Sequence, residues 1–243
     1  MMKLLTKYDR LLLRRSLGLG AGLTVVLAAT IGATDDNGTT LGTWLGRLAC
    51  VVALAGGVAA FVTSEQARLR GEVRAHGALG VVPARASLGA AIGGSLIAAI
   101  GPLLTSMDIV DVDSLYPRLG PSVGTWSLAG PELWRQVSGT VVVRATGELG
   151  LPVGEVLRGA AQAPVSRAAT SMALLAYAIS VPLWATARAG TPRRLLVALA
   201  AALSSVTLFH LVAVARVPAG LLVLPPAALL VDAWMLHRSG TWS

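Results

Sequence analysis

Cysteine occurs once in the 243 residues, at Cys50, so no disulfide can form within the chain. Cys50 lies inside an apolar run, where a cysteine serves as a small core residue. Lysine is nearly as scarce. Lys3 and Lys7 are the only two, which excludes the lysine-bearing phosphate loop and ATP hydrolysis by that route. The three histidines, His76, His210 and His237, are scattered, and no His-Glu-x-x-His run, carboxylate pair or metal-spaced cluster accompanies them. No enzyme, metal or cofactor is therefore expected. Charge is the largest deficit. Only 13% of the residues are charged, against about a quarter in soluble domains.

Hydrophobic residues make up 54% of the chain and mean hydropathy is +0.70. Most of the outer surface must therefore meet lipid. Six apolar segments approach the roughly 20 residues that a spanning helix needs: Ser16–Ala33, Leu41–Val62, Ala86–Ser106, Ala168–Ala187, Leu195–Ala215 and Pro218–Leu236. The first follows Lys3, Lys7, Arg10, Arg14 and Arg15 and has the look of a signal peptide; five further spans mark it as a retained start-transfer helix.

The net charge of +8 could suggest nucleic acid, but the bases cluster beside apolar runs and form no single stripe, so no nucleic-acid partner is expected. Their placement reports orientation instead. The N-terminal segment, the Thr63–Arg85 connection (Arg68, Arg70, Arg74, Arg85), the turn after the fourth span (Arg188, Arg193, Arg194) and Arg238 are rich in bases. Thr34–Thr40 carries Asp35 and Asp36 with no base, and the turn between spans five and six has Arg216 alone. Both termini and the Thr63–Arg85 connection are therefore expected in the cytoplasm.

The expected fold is an all-α membrane protein of six transmembrane helices, three plus three, with a small, partly β extracytoplasmic insert. Residues 1–106 form the first membrane half, 107–167 the insert and 168–243 the second half. The insert is rich in acids, Pro and Gly, with strand-leaning runs at Thr125–Leu128 and Gly139–Ala145. Glycines four apart (Gly18 with Gly22, Gly42 with Gly46, Gly89 with Gly93) suit close helix packing, within the bundle or at a dimer seam. Arg47, His210 and Asp232 are ionisable residues at membrane depth, hence candidate polar sites, with snorkelling or interface placement as the plain alternative. Between spans two and three, near 65–82, a short helix-capable segment ends at Gly80, ahead of Pro83. Its small residues Ala75, Gly77 and Ala78 offer a low surface to a partner, and Glu72 offers a carboxylate to a partner's arginine.

That segment resembles the coupling helix of the lipopolysaccharide-export permeases, a family of ATP-binding-cassette transporter subunits. The pattern is carried by Glu72, Val73, Ala75, Ala78, Gly80 and Val81. The opening Leu4-Leu5-Thr6-Lys7-Tyr8-Asp9-Arg10, with Arg14 and Arg15, is similar to the family's start, and Val217 to Pro226 with Ala233-Trp234 to its last span. The resemblance covers about three quarters of the chain and implies a subunit of the bacterial inner membrane that pairs with a second permease. It also implies a cytoplasmic ATPase bound through Glu72, Ala75, Ala78, Gly80 and Val81, and a lipid-facing cavity between spans one and five. Two features depart from the family: residues 107–167 are far shorter than its large β-jellyroll, and Thr34-Asp35-Asp36 stands where it carries bases for lipid phosphates. The substrate is left open, and a non-transporting scaffold of an envelope complex is the alternative.

Overall fold

A backbone that crosses hydrocarbon must satisfy its own hydrogen bonds, and apolar helices do so within one segment. The computed structural model describes residues 6–33, 40–81, 83–116, 126–130, 133–136, 142–144, 149–150, 166–187, 191–213 and 216–238. In chain order these form α1 (Lys7–Ala33), α2 (Leu41–Leu69), α3 (Glu72–Ala78), α4 (Pro83–Ala86), α5 (Leu88–Ala98), α6 (Ile100–Ser106) and a 3-10 turn at Val112–Leu115. Strands β1 (Trp126–Gly130), β2 (Leu133–Gln136), β3 (Val142–Arg144) and β4 (Leu149–Gly150) follow, then α7 (Arg167–Thr186), α8 (Thr191–Ala213), a 3-10 turn at Ala219–Val223 and α9 (Leu224–Arg238). Six helical stretches are long and apolar enough to cross a bilayer: Lys7–Ala33, Leu41–Leu69, Leu88–Ser106, Arg167–Thr186, Pro192–Ala213 and Ala219–Arg238. The chain is a multi-pass, helical membrane protein.

Two helices outrun the apolar segments that announce them. α1 starts at Lys7 rather than Ser16, because Thr6 and Asp9 form a reciprocal cap: the Thr6 amide and hydroxyl donate to Asp9 at 2.9 and 2.7 Å, and the Asp9 amide donates to the Thr6 hydroxyl at 3.1 Å. At 1.5 Å per residue α1 is about 40 Å long, and about 30 Å of hydrocarbon leaves its first two turns outside. α2 likewise continues past Val62 to Leu69.

Prolines shape two other spans. Pro102 cannot donate a hydrogen bond to the carbonyl of Ala98, and the third span breaks there into α5 and α6. The sixth opens as a 3-10 turn after Pro218 and becomes α-helical at Leu224, where Pro225 and Pro226 suit a first turn.

Lipid supplies no hydrophobic drive between helices, so close approach decides the packing. α2 is central and packs on α1, α5, α6 and α7; α7 continues the layer to α9, and α9 carries α8. At the α2–α5 crossing, a Cβ on Gly56 would sit 2.3 Å from the Gly94 carbonyl oxygen, and one on Gly94 2.4 Å from that of Gly56. Only glycine fits at that contact. The bundle is thus a row with α1 at one edge and α8 at the other. Only 11% of the α1 span and 6% of the α8 span are buried, against 56% of α2, so in the single chain these two edges are open to lipid.

Call the end where α1 begins and α2 ends the basic end, and its opposite the distal end. At the distal end the chain after α6 is stitched back onto the bundle. Val112, Leu115 and Tyr116 join Ala49, Leu174, Phe209 and Leu222 in one buried cluster. The Tyr116 and Thr170 hydroxyls are 2.7 Å apart. The Arg167 guanidinium donates to the carbonyls of Thr105, Met107 and Val110 at 2.9, 2.5 and 3.0 Å. The four short strands pair antiparallel in the order β1-β2-β3-β4. Residues 34–39, with Asp35 and Asp36, and most of 117–165 lie outside the described residues.

Candidate functional site

Local backbone chemistry isolates the segment between spans two and three. Gly71 and Gly80 have φ of 74° and 79°, a left-handed conformation that costs glycine nothing and strains other residues. They bracket α3 as a separate rigid turn. The helix-capable stretch expected near 65–82 is therefore shorter: Glu65–Leu69 finish α2, and α3 proper is Glu72–Ala78.

One face of α3 is docked on the start of α1. Arg15 Nη1 lies 3.2 and 3.4 Å from the two carboxylate oxygens of Glu72, and Arg70 lies 4.0 Å away. The Tyr8 and His76 rings stack with centroids 3.9 Å apart. His76 Nδ1 is 2.8 Å from the Glu72 carbonyl, so that nitrogen carries the proton. Val73 packs with Tyr8 against Leu12, Ala67 and Ala90. The expectation of a free carboxylate at Glu72 is thus corrected: it is half-buried and paired within the chain, because α1 extends far enough to present Arg15.

The other face of α3 is open. Arg74, Ala75, Ala78 and Gly80 are exposed, Val81 is half-buried, and Leu79 is 79% and Leu69 86% exposed. Of the three small residues expected on a low surface, Ala75 and Ala78 are exposed and Gly77 is half-buried.

A second network ties the remaining helices at the same end. Glu65 accepts from Arg68 at 2.5 Å and Arg194 at 3.4 Å. Arg68 also donates to the Thr186 carbonyl at 2.7 Å, and Arg194 to that of Ala187. These cations meet the carbonyls left open at the C-terminus of α7, where the helix dipole also favours positive charge. Arg194 further stands 5.3 Å from the Phe61 ring centroid. Asp232 accepts from Trp184 Nε1 at 2.9 Å and Arg193 at 2.5 Å.

The intramembrane candidates are not gathered into one site. Asp232 is a clamp at the basic end. Arg47 is exposed near the start of α2, and His210 is half-buried near the end of α8, both toward the distal end. Among the described residues, no three His, Cys, Asp or Glu side chains could hold a metal ion. The glycine pairs also part company: Cβ atoms at Gly89 and Gly93 would strike the α1 backbone, whereas Gly18 and Gly22 face open space.

Sequence reasoning missed Arg15 and Tyr8 of α1 as the partners of Glu72 and His76, and Glu65, Arg68 and Arg194 as a network. Only the Thr6-x-x-Asp9 cap had a local signal. No protein-family model, curated protein or solved structure matches the chain.

Proposed function

We propose that this chain is a permease-type subunit of an ATP-driven exporter of lipid or envelope material in the bacterial inner membrane, with its basic end and both termini in the cytoplasm. The observation that carries the reading is the split character of α3. One face is fixed to α1 through Arg15–Glu72 and Tyr8–His76, and the other presents Ala75, Ala78 and Leu79 outward. A cytoplasmic ATPase docks on that outward face. Its motion passes to α1, one of the two least buried spans. Leu69 and Leu79 stand uncovered by the chain itself, which suits a surface covered by a partner.

The row arrangement supports pairing. Spans one and five occupy opposite edges, so a lipid-facing gate built from both requires a second permease subunit, span one of one meeting span five of the other. Glu72 acts in this scheme as the anchor of the docking helix to α1, and Ala75, Ala78, Gly80 and Val81 as its partner side. The polar residues Arg47 and His210 stay outside the coupling path.

Co-purification with an ATPase lacking membrane spans tests the proposal. Ala75→Arg with Ala78→Arg, placed on the exposed face, is expected to release the ATPase while the protein stays folded. An intact complex in that variant removes the coupling role.

A further inference from the structure

The first turns of α1 carry a second surface, turned away from α3. At 3.6 residues per turn, Lys7, Arg10 and Arg14 fall within about 60° of one another. All three are exposed, and among the described residues none has an acidic partner. Asp9, the one acid on α1, is 2% exposed and bonded to Thr6. Arg15 is turned to the docked face and neutralised by Glu72. The three cations therefore act on whatever lies outside.

The same stripe continues up the helix as Leu11, Gly18, Ala21 and Val25, all exposed. Those residues belong to the edge of the bundle that faces lipid. One face of one helix is thus apolar through the hydrocarbon and cationic where it leaves it. Lys7 to Arg14 spans about 10 Å along the axis, comparable with the depth of one headgroup layer.

We infer that Lys7, Arg10 and Arg14 form a binding site for the phosphate groups of anionic phospholipids in the leaflet at the basic end. Arginine holds a phosphate bidentately and lysine as a point charge, and juxtamembrane bases concentrate anionic lipid near the protein. The inference rests only on the membrane character of α1 and holds whether or not the chain transports anything. Lipid is the occupant because the stripe is continuous with the lipid-facing edge.

The full chain, reconstituted in equal parts phosphatidylglycerol and phosphatidylethanolamine, is expected to retain phosphatidylglycerol preferentially when released for native mass spectrometry. Neutralising each base should lower that preference about fivefold, so Lys7→Gln, Arg10→Gln and Arg14→Gln together lower it about a hundredfold. The elution profile and thermal midpoint are expected to stay at wild-type values. Should the triple variant fail to fold, the salt dependence of the wild-type preference decides: loss of the preference in high salt supports the site, and a salt-independent preference overturns it. Equal retention of the two lipids by the wild type, or an undiminished preference in a folded triple variant, also overturns it. Stronger displacement by inorganic phosphate than by chloride at equal ionic strength would assign the stripe to free phosphate and sink the lipid reading.

Discussion

The side chains that organise this molecule are few, because so few are charged, and each is asked to join distant segments. Arg15 and Glu72 are 57 positions apart and pin α3 to α1 with side chains 32% and 24% exposed. Partial exposure limits such a pair to about 0.5–1 kcal/mol. Arg15→Ala and Glu72→Ala are therefore each expected to lower thermal stability modestly, with the double variant losing less than their sum by about that amount. Additive losses in detergent unfolding would show that the contact contributes nothing. Glu65 is a different case, since it faces two guanidinium groups at once and the Arg194 side chain is only 17% exposed. Glu65→Gln leaves Arg68 and Arg194 mutually repelling around the α7 carbonyls, and a loss of about 1–3 kcal/mol is expected. A thermal midpoint unchanged by that substitution would mean the two arginines are held by the carbonyls alone.

Among the elements, the spans were legible and their ends were not. A bilayer demands long apolar runs, so segments such as Leu41–Val62 stand out in the sequence whatever the fold. The two turns of α1 below Ser16 carry bases, and their helicity depends on the Thr6–Asp9 cap and on packing that no local window reports. The same limit hid the site. Gly80 marked the end of α3, and Ala75 and Ala78 its open face, but the partners of Glu72 and His76 come from α1 and leave no spacing signature. Glycine spacing was ambiguous for a similar reason: seam and interior share one pattern until the neighbours are known. The structure separates them. Gly56→Ala would place a Cβ 2.3 Å from the Gly94 carbonyl and 2.9 Å from the Ala98 Cβ, with an expected loss of about 1–3 kcal/mol from the forced separation of α2 and α5. Gly18→Ala meets nothing within 4 Å and should leave the unfolding midpoint in place or raise it slightly, since alanine is the better helix former. Equal damage from both would contradict the close α2–α5 crossing and the open face of α1 at Gly18.

For the whole molecule, the decisive asymmetry is between its two ends. α1 begins, α2 ends, α7 ends, α8 begins and α9 ends at one end, which holds Lys7, Arg10, Arg14, Arg15, Arg68, Arg70, Arg74, Arg193, Arg194 and Arg238. Bases beside short connections tend to stay on the cytoplasmic side during insertion, and the orientation proposed above accordingly turns the open face of α3 to the cytoplasm. The chain's own composition makes this testable, because Cys50 is its one thiol and can be removed as Cys50→Ser. In that background Arg74→Cys sits on the exposed side of α3 and Met107→Cys on the exposed turn after α6 at the distal end. A membrane-impermeant maleimide added to intact cells is expected to label the cysteine at 107 and not the one at 74, with both labelled once the membrane is opened. The reverse pattern would put α3 outside the cell, beyond reach of any cytoplasmic motor. The exporter reading would then fall, while the stripe of Lys7, Arg10 and Arg14 would still select anionic lipid in whichever leaflet it meets.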